Sequence, residues 1–584
     1  MTARKLFREE VSVPEAIVRV LEEAGIDMVF GIPGGNAMLI FDALYDHRST
    51  IRTVLVRHES LAGVMAEVYG RLTGKPGVAM GQGLFMLSNA FLGTLEAQLG
   101  STPMLLMADL SDNAPFSHHA PYQAGTGEYR TWDARQSFAG VTKITMELHE
   151  AVQAVQSTQL AIKHAMTGER GPVALLYHSA ALKGRVGPDS VPCLYPTQFY
   201  LRGMSASPDT AEIDAAARAL SEAKQPVIIA GNGVRISKAY TELQNLAELI
   251  GAPVATTASG KGVFPETHEL ALGVFGNFGL PVANALVADA DVILAVGSKL
   301  SPTDTAGENP KLLDPQRQIL IQVDIEPRNV SWTFPCEHAV TGDASVALSQ
   351  ITEAVRVLGS PPHEPVASGK ERVAEARKRH GFFNAPEFAS DELPMLPQRI
   401  IAEIRKAVSD DAIIACDAGE NRLFMTHFFQ TKSAGSFISP AATGGMGYAI
   451  PAALAAKLIY PERQVLAVCG DGGFAMAMNG LMTACEEGIP IVTIILNNRT
   501  LGWVMHGQRD RVIASELSDM NFAEIAHAIG CRGIRVEEPR QLEEALAEAL
   551  AGTEPAVLDV VTSRKISYED VMSPLAVPKA SSRE

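Results

Sequence analysis

Two stretches decide the fold: Gln464-Val465-Leu466-Ala467-Val468-Cys469-Gly470-Asp471-Gly472-Gly473, and further on Ile491-Val492-Thr493-Ile494-Ile495-Leu496-Asn497-Asn498. Gln464–Val468 and Ile491–Leu496 are short, β-branched apolar runs, which predicts strands buried on both faces. Each opens into a turn rich in Gly or Asn and then into a helical pattern. That order is the mark of a parallel sheet, whose strands bind ligands at their carboxyl ends. Glycines let backbone amides approach a diphosphate closely. The Asp471 carboxylate and the Asn498 amide oxygen are hard ligands, suited to Mg²⁺ or Ca²⁺ rather than zinc. A lone Gly-Asp-Gly fits any strand-to-helix turn. The second glycine and the double Asn ending the next strand turn the pair into a metal and diphosphate motif.

The same punctuation repeats outward in both directions. A third segment, 394–570, carries further strands at Ala412–Ala415 and Ala556–Val561. A first, 1–185, has a helical pattern at Val13–Ala24. Its strands are Asp27–Phe30, Thr53–Val56, Gly77–Met80, Pro103–Ala108 and Pro172–Leu176. A second, 209–355, has strands at Pro226–Ala230, Pro253–Thr256, Val292–Val296 and Gln318–Val323. Strands alternating with helices predict an α/β chain of three doubly wound parallel-sheet domains. Residues 186–208 and Gly359–Gly369 read as linkers, and Ser581–Glu584 as a loose tail.

Composition excludes several function classes. The 584 residues carry 49 basic and 66 acidic side chains, and 49 − 66 = −17 leaves no basic footprint for nucleic acid or an anionic membrane. No apolar run is long enough to span a bilayer, and the N-terminal stretch lacks a signal-peptide core. Cys193, Cys336, Cys416, Cys469, Cys485 and Cys531 form no paired or zinc spacing, which fits free thiols in a reducing, cytoplasmic setting.

On these residues the chain resembles the thiamine diphosphate (ThDP) enzymes, whose signature is the stretch from Gly470-Asp471-Gly472 to Asn497-Asn498. The likeness extends to Arg57-His58-Glu59 with the helix after it, to Phe30-Gly31-Ile32-Pro33-Gly34-Gly35, and to Ala442-Thr443-Gly444-Gly445-Met446-Gly447. It is nearest to the acetolactate synthase group, with benzoylformate decarboxylase and oxalyl-CoA decarboxylase as relatives. The resemblance implies ThDP and Mg²⁺ as cofactors. It makes Glu59 the catalytic glutamate that hydrogen-bonds the aminopyrimidine ring, in a rather apolar place. It makes Met446 the wedge under the bent cofactor, with Gly34 and Gly445 beside it. Gly419, Glu420, Asn421, Gly470, Gly472 and Gly473 fall on the diphosphate. Asp471, Asn498 and Thr500, the last through its main-chain carbonyl, become the metal ligands. Glu420 is odd beside a diphosphate, because two anions repel unless a metal or donor compensates; one resolution is that it points away.

Departures from the family pattern bear on substrate. Gln82-Gly83-Leu84-Phe85-Met86 replaces a Thr-Ser-Gly-Pro-Gly loop facing the reacting end of the cofactor. Arg130 stands where a glutamine is usual, as a clamp for a carboxylate or phosphate or as one half of a surface ion pair. Gly507 replaces a tryptophan that narrows the acceptor site, leaving room for Trp503 or His506. Ser179, after His178, replaces a lysine. His118 and His119 resemble the adjacent proton-shuttling histidines of pyruvate decarboxylase, or are loop residues without a chemical role. Gly231-Asn232-Gly233, Ser259–Gly262, Gly297-Ser298-Lys299 and Asp324-Ile325-Glu326 fall where relatives hold FAD or ADP, leaving FAD, ADP or CoA, or no ligand.

The implied activity is cleavage or formation of a carbon–carbon bond at a 2-oxo acid or related small-molecule carbonyl, by decarboxylation or carboligation. The alternatives are a 2-hydroxyacyl-CoA lyase or oxalyl-CoA decarboxylase, and a ThDP-fold regulatory subunit without catalysis. The resemblance also implies a homodimer or homotetramer with active sites shared between chains.

Overall fold

The computed structural model describes residues 5–112, 122–204, 206–359 and 365–575. It divides into two compact units. The first comprises residues up to Met204 with Leu454–Ile459 and Met482–Ile489; the second holds the remainder.

The first unit contains a six-stranded sheet. Its order in space is Arg52–Leu55, Met28–Gly31, Gly77–Gln82, Met104–Asp109, Pro172–Tyr177, Ile144–Leu148. Numbered along the chain this is 2-1-3-4-6-5, and every neighbouring pair is parallel. The central strands are buried throughout except at Gln82, the end of Gly77–Gln82, as continuous apolar runs require. Helices Glu59–Thr73 and Phe91–Leu99 cross at glycines: a Cβ on Gly93 would come within 2.1 Å of the Gly63 carbonyl carbon. That approach brings the start of the first helix close to Asn89, just before the second. Of the stretch 186–208, expected to be a linker, the part up to Met204 instead packs on this unit. Leu194 and Thr197 are buried, and the Leu6 N–H donates to the Leu194 carbonyl at 2.8 Å.

The second unit holds two more six-stranded parallel sheets. The middle one is ordered Ala271–Val274, Val254–Thr256, Pro226–Ala230, Val292–Val296, Ile319–Asp324, His338–Thr341, which is 3-2-1-4-5-6 along the chain. Along Pro226–Ala230, Val227 and Ile229 enter one core while Ile228 and Ala230 enter another, so both faces are covered. The last sheet is ordered Phe437–Ile438, Ile413–Cys416, Val465–Gly470, Val492–Asn497, Ala556–Val561, Arg532–Val536. This repeats the 2-1-3-4-6-5 order of the first sheet. Each fully buried Val, Leu or Ile in these strands contributes about 1.5–3 kcal/mol.

The expected α/β class with three doubly wound sheets is the observed one. The Gly359–Gly369 linker is corrected: helix Pro365–His380 takes up its second half. Among the described residues no helix is long and apolar enough to cross a membrane, and the six cysteines are all free.

Candidate functional site: the crevice of the last sheet

In an open α/β sheet ligands settle where the strand order reverses, outside the carboxyl ends. In the last sheet that point lies between Ile413–Cys416 and Val465–Gly470. The first strand leads to Asp417-Ala418-Gly419, the second to Gly470-Asp471-Gly472-Gly473, and Val492–Asn497 ends beside them at Asn498. These turns line one cleft, with Glu420, Met446, Thr500 and Trp503.

The glycines there are required by geometry. Gly419 sits at φ 87° and ψ −163°, a region open in practice to glycine alone, and starts helix Glu420–Phe428 without a side-chain cap. The Arg422 N–H donates back to the Gly419 carbonyl at 3.1 Å, and the N–H groups of Glu420 and Asn421 before it face no side-chain cap, as an anion site requires. A Cβ on Gly472 would lie 2.7 Å from a Leu501 methyl and 3.3 Å from the Met446 Cε; one on Gly473 would lie 2.9 Å from Asp417 Oδ1.

Asp471 is buried. Its Oδ1 accepts from the Gly472 N–H at 2.8 Å, while its Oδ2 is buried without a hydrogen-bond partner. Burial pushes its carboxyl up to about 6, against opposing amides from Gly472, Arg499 and Thr500. A sequestered carboxylate oxygen with nothing to bond fits a cation. The Asn498 Oδ1 accepts from the Thr500 N–H at 3.2 Å, and the Thr500 hydroxyl donates to the Ser515 carbonyl at 2.7 Å. What Thr500 can offer a cation is therefore its main-chain carbonyl. This oxygen-only set could hold Mg²⁺.

Glu420 does not turn away. It is buried and lines the cleft. Its Oε1 lies 2.6 Å from His506 Nδ1 and accepts from the Tyr568 N–H at 2.9 Å. His506 Nε2 lies 2.9 Å from the Arg564 carbonyl. Both ring nitrogens face acceptors, so the pair carries one proton more than a carboxylate and a neutral imidazole. That proton compensates an acid beside an anion site. Burial raises the Glu420 carboxyl, and His506 opposes the rise. His506 is thereby engaged by Glu420 and the Arg564 carbonyl, while a Cβ on Gly507 would meet the Tyr568 hydroxyl at 3.6 Å. Trp503 stacks on Tyr568 with ring centres 4.5 Å apart and planes 5° apart.

Sequence reasoning missed Asp417. Buried, it accepts from the N–H groups of Ala418, Gly447 and Ala449 at 2.8, 3.0 and 2.9 Å. Those bonds tie the turn before Gly419 to the loop carrying Gly445 and Met446. Burial pushes its carboxyl up to about 6. An acid just before Ala418-Gly419 was its only signal, and two of its three partners, Gly447 and Ala449, are remote in sequence.

In the first unit, Glu59 opens helix Glu59–Thr73 and is half-buried. The expected apolar setting is modified by a polar neighbour: Asn89 Nδ2 donates to Glu59 Oε2 at 2.8 Å. Gln82-Gly83-Leu84-Phe85-Met86 is no loop, because Gly83–Asn89 is a helix with Met86 buried and Phe85 exposed. Gly34 is extended and precedes Gly35 and Asn36, whose N–H donates to the buried Asp109 at 3.0 Å. Asp109 was likewise missed. Arg130 is exposed, with its guanidinium over the Tyr129 ring, and makes no ion pair among the described residues. His118 and His119 lie outside the described residues.

In the middle sheet the order reverses between Pro226–Ala230 and Val292–Val296, where the Gly233 N–H donates to the Gly297 carbonyl at 3.0 Å. Lys261, in the expected nucleotide turn, is wholly buried on Glu266 at 2.8 Å.

Fold and cleft define an α/β enzyme class built to hold a phosphorylated cofactor. Comparison with known proteins agrees. Residues 11–126, 213–351 and 417–560 match the N-terminal TPP binding, central and C-terminal TPP binding domains of thiamine pyrophosphate enzymes. The chain is 33% identical over 564 residues to a probable acetolactate synthase large subunit of Methanocaldococcus jannaschii, covering 94% of this chain and 91% of that one. It is 30% identical over 575 residues to the acetolactate synthase large subunit of Corynebacterium glutamicum, covering 96% and 88%. It is 28% identical over 557 residues to a putative thiamine pyrophosphate-containing protein of Bacillus subtilis, covering 94% and 91%. The chain belongs to the thiamine pyrophosphate (ThDP) enzyme family, in its acetolactate synthase-like branch, and is an enzyme of the carboligase type.

Proposed function

We propose that the enzyme uses ThDP and Mg²⁺ to cleave a 2-oxo acid and to pass the fragment to a second carbonyl or to a proton. The observation that carries this reading is the buried, unpartnered Asp471 Oδ2 beside Asn498 in a glycine-lined cleft. In this reading Asp471, Asn498 and the Thr500 carbonyl hold Mg²⁺. The free amides after Gly419 and the turn Gly470-Asp471-Gly472-Gly473 receive the diphosphate. Met446 supports the bend of the cofactor. When bound, ThDP supplies a carbon nucleophile and a sink for the electron pair released from the substrate. Glu59 exchanges a proton with the aminopyrimidine ring, and Asn89 orients its carboxyl. Asp417 positions the Met446 loop, and the Glu420–His506 pair keeps a proton next to the diphosphate.

Substrate selection falls to positions that depart from the family: the Gly83–Asn89 helix with Phe85, the small Gly507, and Arg130 as a carboxylate clamp. A homodimer or homotetramer is part of the proposal. It draws support from family membership and from Phe91 and Leu99, exposed at 44% and 53% on helix Phe91–Leu99. Two traits of the middle sheet support FAD there: its 3-2-1-4-5-6 order, which holds dinucleotides in other folds, and the glycines at its switch point. Burial of Lys261 leaves the contact to backbone amides, and the visible spectrum of the purified protein tests it.

The decisive experiment is Glu59→Gln, assayed against a panel of 2-oxo acids and aldehydes with products read by mass. Turnover should vanish while ThDP affinity stays close to wild type. Undiminished turnover would overturn the proton role given to Glu59.

A further inference from the structure

A cluster in the first unit, unrelated to the cofactor residues, carries chemistry of its own. Strands Ile144–Leu148 and Pro172–Tyr177 pair in parallel, with Leu148 opposite Tyr177. The next residues, His149 and His178, therefore emerge side by side, and the His178 N–H donates to the Leu148 carbonyl at 2.9 Å. Glu147 lies two residues before His149 and so shares its face of the strand. The His149 and His178 rings stack with centres 3.8 Å apart. Glu147 Oε1 is 2.9 Å from His178 Nε2 and 3.4 Å from His149 Nε2. The three donor atoms all lie within 4.8 Å of one another.

We propose that Glu147, His149 and His178 form a binding site for a divalent transition-metal ion, Zn²⁺ by preference. Bonds of about 2.0–2.1 Å in tetrahedral geometry need donors a little over 3 Å apart, and the present spacing brackets that value. Two imidazoles and one carboxylate select zinc-like ions over Mg²⁺, whereas the oxygen-only set at Asp471 does the reverse. The site is open on one side, because the His149 side chain is 55% exposed, which leaves a coordination position to water.

An independent feature is the support behind His178. Asp112 is buried, and its Oδ2 lies 3.5 Å from His178 Nδ1. Its carboxylate is fixed in turn by the Ser179 N–H at 2.7 Å and the Ser179 hydroxyl at 2.9 Å. A carboxylate on the far nitrogen sets the tautomer in which Nε2 presents its lone pair to the ion. Without metal, a proton bridges His178 Nε2 and Glu147; the ion takes its place, and that proton is released to solvent.

The test uses the full-length protein, stripped by chelation and then saturated with Mg²⁺ and ThDP so that the Asp471 site is filled. Co²⁺ serves as a visible probe for zinc. The expected result is one equivalent of Co²⁺ giving d–d bands without a thiolate charge-transfer band, displaced by Zn²⁺. His149→Ala, a change at an exposed side chain, should abolish the bands, and Asp112→Asn should weaken Co²⁺ binding about 10- to 100-fold. Failure to bind Co²⁺ stoichiometrically, or unchanged bands in a folded His149→Ala/His178→Gln variant, would overturn the proposal.

Discussion

Gly419→Ala isolates the backbone geometry on which the cofactor cleft depends. Gly419 lies at φ 87° and ψ −163°, and a Cβ there would meet nothing within 4 Å. No packing penalty arises, so the whole cost is conformational, of order 1–3 kcal/mol. That cost can appear in two ways. If the turn holds, the protein loses that much stability and the new methyl intrudes where the diphosphate is expected. If the turn relaxes, the first turn of helix Glu420–Phe428 swings away, and ThDP must restore it on binding. At about 1.4 kcal/mol per tenfold, affinity then falls about 5- to 150-fold. The assay is ThDP titration at saturating Mg²⁺ by tryptophan fluorescence, since Trp503 lines the cleft, together with thermal unfolding. Gly168→Ala is the control, because Gly168 also has positive φ (61°) and empty space around a Cβ. It should lower stability and leave ThDP affinity alone. Wild-type stability and wild-type ThDP affinity in Gly419→Ala would refute the strain argument.

Other perturbations read different parts of the chain. Burial holds the His427 imidazole down at about 4, below the 6.5 of a free histidine. The folded state therefore binds this proton less readily than the unfolded chain, and stability is lost as pH falls from 6.5 towards 4. Between pH 7 and pH 5 the wild type should lose about 2 kcal/mol more than His427→Gln; equal losses in pH-dependent unfolding would remove that assignment. Arg71 lies buried between Glu67 at 2.7 Å and Glu96 at 2.9 Å. Arg71→Met strands two buried carboxylates and should destabilise the first unit by about 3–5 kcal/mol in denaturant unfolding. A loss under about 1 kcal/mol would mean the acids had become neutral or solvated.

What the sequence revealed of the fold follows the burial of its strands. The interior strands of all three sheets read as continuous apolar runs, because they are covered on both faces. Within the three six-stranded sheets of the described residues, the five strands it did not reveal are all edges: Ile144–Leu148, Ala271–Val274, His338–Thr341, Phe437–Ile438 and Arg532–Val536. Ile144–Leu148 and Arg532–Val536 are half-exposed and mixed in polarity, Ala271–Val274 contains a glycine, and Phe437–Ile438 has only two residues. The site divides in the same way. Gly470-Asp471-Gly472-Gly473 and Asn498 are contiguous with their strands, so they were visible. Asp417 acts through amides some thirty residues on, and Glu420 is paired with His506 from another turn. Such pairings are made by the fold and leave no local pattern. The stretch Gln82–Met86 takes the place of a family loop that carries Gly-Pro-Gly, but Leu84-Phe85-Met86 are better helix formers, and Gly83–Asn89 is a helix.

In the proposed site Asp471 joins the cofactor to the protein through a divalent ion. ThDP binding to wild type and to Asp471→Ala, each measured in Mg²⁺ and in excess EDTA, tests this directly. Wild type should bind ThDP tightly only with Mg²⁺, and Asp471→Ala should bind at the weak EDTA level in both conditions. Equal Mg²⁺ dependence and equal affinity in the two proteins would contradict the account.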